Sequence, residues 1–262
     1  MLRSTICRFD QLKLDNFVVV AFNPEAIATC RAENLPCIPG YDTTHIAKAA
    51  AASYGSQEFR SLTKLKSRAV LYLLEAGLNI LWSDIDIFWF KNVFPDLQRR
   101  EYEEYDILIQ SNAPQVEPDE NGWLRINSGF YYVRANSASI AAFDAIVKHA
   151  AASRLSEQPS FYMILCGSKR EWTVGSTDCY NKNLNVNTFF LPRSTYPNGN
   201  TTIWTDLRYP SNYPTELAII HNNWIAGHDA KVHRFEKAGL IQYDSAVSQC
   251  RQPPALRFGR EK

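Results

Sequence analysis

Short stretches in which almost every residue is apolar recur along this 262-residue chain, and they restrict its architecture more than any other feature. Residues 17–22 read FVVVAF, 79–83 NILWS, 106–111 DILIQS and 126–134 INSGFYYVR, and 186–191 and 217–220 are similar. A strand that is apolar on both faces must be covered on both, as in a sheet between layers of helices. Between these runs the period changes. Phe59, Leu62, Leu65, Ala69, Val70, Leu73 and Leu74 recur at three- and four-residue steps, which predicts a helix over 57–76 ended by Gly77. Asn23-Pro24 reads as a cap followed by a first-turn proline, and residues 37–39 as a short strand. Ser137 or Ser139 would cap a helix carrying Ile140, Phe143, Val147 and Ala150, and Ser156 another with Pro159 in its first turn. Strands alternating with helices predict a single α/β domain with a central, mostly parallel sheet flanked by helices. That domain is expected over 1–245, with a tail at 246–262.

Composition removes several classes of function. There are 28 basic and 27 acidic residues, a net charge of +1, and no basic stripe, so nucleic acid is not an expected partner. With 45% apolar and 21% charged residues the chain folds rather than staying disordered. No apolar run reaches the roughly 18 residues of a membrane span, and residues 1–15 carry charges where a signal peptide is apolar. The six cysteines lack the spacing of a zinc site. Cys166 and Cys179 could close a loop, and scattered buried thiols are the other reading. Asn200-Thr201-Thr202 is a glycosylation sequon in a turn-rich region, compatible with a secretory lumen.

The chemistry concentrates in residues 81–90, LWSDIDIFWF. Asp84 and Asp86 follow an apolar strand directly, where ligands of open α/β sheets bind. On an extended chain side chains two apart point the same way, so the carboxylates converge while Ile85 and Ile87 face the other side. Two carboxylates among Ile, Phe and Trp need a partner, and a hard divalent cation, Mg²⁺ or Mn²⁺, suits oxygen ligands. A pair of partly exposed aspartates capping the next turn is the plainer alternative.

The surrounding string, residues 63–97, resembles the nucleotide-diphospho-sugar transferase domain of glycosyltransferase family 77, which includes plant arabinosyl- and xylosyltransferases of the GT-A fold. The shared pattern is Lys66 on a helix, Gly77, the strand 79–83, Asp84 and Asp86, Trp89 and Pro95. Residues 126–135 look like the family's acceptor-side strand, with Asn127, Ser128 and Gly129. Residues 221–235, HNNWIAGHDAKVHRF, look like its C-terminal metal and phosphate segment. The likeness covers roughly residues 5–240, and three motifs in order are far more specific than an isolated Asp-x-Asp.

That resemblance implies a metal-dependent transfer of a sugar from a nucleoside-diphosphate donor, a UDP-linked pentose or hexose, to a glycan or glycoprotein acceptor, with retention at the anomeric carbon. It implies that Asp84, Asp86 and His221 hold the metal, that Lys231 pairs with the diphosphate, and that Lys66 reaches the donor or a site carboxylate. Asn127, Ser128 and Gly129 would offer donors to sugar hydroxyls, and Glu157-Gln158 resembles the acidic-Gln pair near the sugar, with Glu where Asp is expected. Each has a plainer reading: a core histidine, solvated lysines, a glycine bulge, a carboxylate serving a helix dipole. Trp82, Trp89, Tyr131, Tyr132 and Trp224 could stack on a sugar, although most read as core. The family implies the Golgi lumen and a membrane anchor; a cytoplasmic location is the alternative. GT-A domains usually begin with a base-binding strand, whereas this sequence is expected to begin at the first helix, with 17–22 as the second strand. An inactive carbohydrate-binding or scaffold domain is therefore a competing reading. A haloacid dehalogenase-type phosphatase is a remote one, because its nucleophilic aspartate belongs in the first strand before Gly-Thr, and here Ile-Phe follows at mid-chain.

Overall fold

A computed structural model describes residues 1–40, 55–112, 126–167, 177–206 and 216–251. Helix α1 (Leu2–Gln11) precedes β1 (Val19–Ala21), α2 (Pro24–Ala32) and β2 (Cys37–Pro39). Helix α3 (Gln57–Glu75) leads into β3 (Ile80–Ser83), β4 (Ile87–Trp89), α4 (Phe94–Leu97) and β5 (Ile107–Ser111). Then come β6 (Ile126–Val133), α5 (Ser137–Ala152), α6 (Gln158–Leu165), β7 (Asp178–Asn181), β8 (Val186–Leu191) and α7 (Ile203–Asp206). Strand β9 (Ile219–His221), α8 (His228–Lys237) and the pair β10 (Tyr243–Asp244) and β11 (Gln249–Cys250) complete the order.

The α/β class is as expected, with a central five-stranded sheet in the order β3-β6-β5-β8-β7. Its pairing is not mostly parallel. Only β5 and β8 run parallel, while β3–β6, β5–β6 and β7–β8 are antiparallel. Apolar runs report that both faces are covered and say nothing about direction; all eight residues of β6 are buried. Strands β1 and β2 form a separate parallel pair, and β4 and β9 an antiparallel one.

Alternation along β6 feeds two cores. Tyr131 packs with Val70, Leu74, Phe143 and Phe161, the face covered by α3, α5 and α6. Phe130 and Tyr132 turn to the other face, with Leu14, Trp89, Val93 and Leu97. A third cluster, Phe88, Phe90, Ile220 and Phe235, seats α8 on the β4–β9 pair. Helix α1 is fastened by Arg8, which donates from Nε to the Trp89 carbonyl (2.6 Å) and from Nη2 to that of Phe90 (2.7 Å). Burial pushes this guanidinium down to about 10.

Some boundaries differ for local reasons. Asn136, not a serine, caps α5, and Ser139 completes a reciprocal capping box from the third helical position. Helix α6 has Glu157 at its cap position without a side-chain capping bond, because that carboxylate is engaged elsewhere. Strand β9 extends one residue beyond the expected 217–220 run and so includes His221. All six cysteines are paired, as Cys7–Cys250, Cys30–Cys37 and Cys166–Cys179. The first joins α1 to β11, inside the stretch read from sequence as a tail. Among the described residues no helix is long and apolar enough to cross a membrane.

Candidate functional site

The end of β3 and the end of β9 meet over β6. The Asp84 amide donates to the Gly129 carbonyl (2.8 Å), continuing the β3–β6 pairing by one step. The chain then turns at Ile85 and Asp86 instead of remaining extended. Ile85 is consequently exposed and Ile87 buried, so the two isoleucines do not share a face as expected. The turn still folds both carboxylates inward. The Asp86 carbonyl accepts from the Asn222 amide (2.8 Å), which pins the turn to the segment after β9.

Asp84, Asp86 and His221 each bring a ligand atom to within 4.8 Å of the others, and Asp86 and His221 are buried. A lysine attends each carboxylate. Lys66 Nζ, from the buried side of α3, lies 2.9 Å from Asp84 Oδ1 and 3.5 Å from Glu157 Oε1. Lys231 Nζ, from the first turns of α8, lies 2.5 Å from Asp86 Oδ2. Burial alone would lower the Lys66 ammonium, but Asp84 and Glu157 outweigh it and hold the group charged. Burial would likewise raise the Asp86 carboxyl, but His221 and Lys231 keep it well below the usual carboxylate range.

The acceptor-side strand forms the floor. Ser128 Oγ donates to Glu157 Oε1 (2.8 Å) and its amide to Gln158 Oε1 (3.3 Å). Asn127 Oδ1 accepts from the Gly129 amide (2.8 Å), and Asn127 Nδ2 donates to Asn112 (3.3 Å). A side chain at Gly129 would fill the cradle between the ligands: a Cβ there overlaps His221 Cε1 and comes within 3.0 Å of Asp84 Oδ2. Gly129 lies in the stretch of β6 that the pairing with β5 skips, between Asn127 and Tyr131, and close approach to the ligands leaves no room for a side chain there. The two carboxylate groups and one imidazole around this cradle form an oxygen-rich donor set that fits a divalent cation.

The sequence-predicted residues Lys66, Asp84, Asp86, Asn127, Ser128, Gly129, Glu157, Gln158, His221 and Lys231 therefore form one connected constellation. Of the aromatic candidates, Trp82, Trp89, Tyr131 and Tyr132 are core, although the Trp82 indole donates to Asp84 Oδ1 (3.0 Å). Trp224 is 50% exposed, has a positive φ of 57°, and donates its Nε1 to Asn112 Oδ1 (3.1 Å) at the mouth. Asn200 is exposed, away from these contacts.

Sequence reasoning missed Gln110, Asn112 and Arg234. Arg234 donates to Asn222 Oδ1 and to the Asn223 carbonyl, both at 2.5 Å, and stacks on Trp204 at 4.4 Å. Burial pushes it down to about 10, partly offset by Asp86. The available signal was a polar residue within an otherwise apolar strand, as Gln110 is in ILIQS.

Comparison with known proteins gives a consistent result. The family model described as nucleotide-diphospho-sugar transferase matches residues 12–235. A beta-arabinofuranosyltransferase, RAY1, of Arabidopsis thaliana is 36% identical over 262 residues, covering 95% of this chain and 47% of the relative. A UDP-D-xylose:L-fucose alpha-1,3-D-xylosyltransferase of the same plant is 25% identical, covering 74% of this chain and 53% of the relative. A UDP-galactose:fucoside alpha-3-galactosyltransferase of Dictyostelium discoideum is 28% identical, covering 72% of this chain and 29% of the relative. The chain thus spans about half the length of the first two, and less of the third.

Proposed function

The chain belongs to the nucleotide-diphospho-sugar transferase family, and on that premise we propose that it transfers a sugar from a UDP-linked donor to a hydroxyl of a glycan or glycoprotein, with retention. The observation that carries this reading is the convergence of Asp84, Asp86 and His221 between two lysines. Relatives named for arabinofuranosyl, xylosyl and galactosyl transfer support the reaction class, while the sugar differs among them.

A divalent cation held by Asp84, Asp86 and His221 would supply positive charge to the leaving diphosphate. Lys231, pinned to Asp86, stands ready to share its ammonium with phosphate oxygens as a point charge. Lys66 balances Asp84 and the buried Glu157, so that two carboxylates stand close together around one ammonium. Ser128 and Gln158 are oriented by their bonds and present polar edges toward the sugar. The bond from the anomeric carbon to phosphate breaks, the bond to the acceptor oxygen forms on the same face, and the acceptor proton passes to the departing phosphate oxygen. Preorganised charge of this kind is worth several kcal/mol in a dry site. The paired cysteines and the exposed sequon asparagine, Asn200, support an oxidising compartment, the Golgi lumen that the family resemblance implies.

The test is calorimetric titration of UDP with Mn²⁺ and with EDTA. Binding only with Mn²⁺ is expected; no binding in either condition would favour the non-catalytic reading. NMR of the product anomer decides retention against inversion. Gly129→Ala probes the cradle. The added methyl is expected to weaken Mn²⁺ binding by about tenfold or more, since displacing metal ligands costs on that scale. Melting temperature should fall by only a few degrees, about 1–2 kcal/mol of overpacking in a domain this size. Unchanged Mn²⁺ affinity would show that the cradle does not lie between the ligands.

A further inference from the structure

Gln110 is fully buried on β5, at a break in register where the β6 partner jumps from Tyr131 to Asn127. Such irregularities re-aim side chains. The Gln110 amide nitrogen donates to the carbonyls of Tyr196 and Pro197, both at 3.0 Å. Its oxygen lies 2.8 Å from His221 Nδ1. Rotating the amide by a half-turn would set that oxygen against two carbonyl oxygens, so the orientation is fixed by its surroundings. An amide oxygen only accepts, and Nδ1 must therefore carry a proton. Nε2, the atom 3.3 Å from Asp86 Oδ1, then carries a proton toward that carboxylate only in the charged ring; in the neutral ring it holds the lone pair that a cation needs.

We propose that Gln110 is a positioning residue that fixes His221 in its Nδ1–H form and so presents the Nε2 lone pair to the cation site. Asp86 by itself favours the opposite form, with the proton on Nε2 directed at its carboxylate. Lys231 already engages the other oxygen of Asp86, and Gln110 supplies the competing acceptor that decides the outcome. The same Pro197 carbonyl that receives the Gln110 amide also receives the His221 backbone N–H (3.1 Å), so one loop sets both the ring's position and its proton. The second half of the proposal rests on the reading of Asp84, Asp86 and His221 as a metal site.

The experiment separates the two halves. Long-range ¹H–¹⁵N spectra of the histidine-labelled, metal-free chain in mildly alkaline buffer report which ring nitrogen is protonated, with His221 assigned through His221→Gln. The wild type is expected to show protonated Nδ1 and bare Nε2. Gln110→Met should lose that preference and weaken Mn²⁺ binding by about 10–100-fold. A wild-type ring protonated at Nε2 overturns the proposal, and this measurement needs no variant to fold. Gln110→Met with an unaltered ring and unaltered Mn²⁺ affinity overturns it too. A wild type with the Nδ1–H ring but no Mn²⁺ binding overturns the metal half and leaves the tautomer assignment standing.

Discussion

Asp86→Asn is expected to lower kcat/KM for the proposed sugar transfer by about a hundredfold to a thousandfold or more, the loss of several kcal/mol of charge stabilisation. The substitution preserves shape, and its backbone carbonyl still accepts from Asn222. What disappears is the charge that two groups address, Lys231 at 2.5 Å and His221 at 3.3 Å. Without it the proposed cation would lose its most buried anionic ligand, and Lys231 loses the partner that holds it over the site. Mn²⁺ and UDP titrations of the variant, beside turnover with UDP-sugars, measure the effect. Thermal stability should fall as well, because His221 and Lys231 hold the buried Asp86 charge, so turnover and titrations are read well below the variant's melting temperature. An activity loss under tenfold would remove Asp86 from the site.

The second large effect is structural. Gly199→Ala is expected to destabilise the protein by about 3 kcal/mol or more, at the upper end of overpacking costs. A Cβ at Gly199 overlaps the Asn223 carbonyl oxygen and comes within 2.5 Å of its carbon. Backbone, unlike a flexible side-chain tip, cannot step aside cheaply. The Gly199 amide also donates to Asn223 Oδ1 (2.5 Å), and Arg234 bridges the Asn223 and Gly199 carbonyls (2.5 and 3.5 Å). Asn198 ties the same loop to the Ser111 carbonyl (3.0 Å). Forcing the two segments apart breaks several of these contacts together. For a domain of this size the melting temperature should fall by roughly 6–12 °C. A shift under about 2 °C, less than the cost of 1 kcal/mol, would mean that the two segments separate freely.

Much of the site was legible because its residues sit where sequence patterns end. Asp84 follows the last apolar residues of β3, His221 closes β9, and Lys66 interrupts the apolar face of α3. Strand direction was not legible. Nothing local in INSGFYYVR states that it pairs antiparallel with β3, a strand that is not its neighbour in sequence. The expectation that Asp84 and Asp86 share one face of an extended chain reached the right convergence by the wrong route, because the turn at Ile85 and Asp86 supplies it. Gln110 was invisible for a further reason. Its role depends on a break in register and on two carbonyls more than eighty residues away, Tyr196 and Pro197. The reciprocal cap at Asn136 and Ser139 shows the smaller version of this problem: three candidate capping residues lie within four positions, and only backbone geometry chooses among them.

The bond between Cys7 and Cys250, 243 residues apart, turns almost the whole described chain into a covalent ring. In a ring a single cut releases nothing. A protease that nicks any exposed loop between those cysteines leaves one molecule of unchanged mass, apart from the added water, and two pieces separate only after reduction. The protein's persistence after limited proteolysis, read on gels with and without reductant, is therefore a property of this closure as much as of its noncovalent packing.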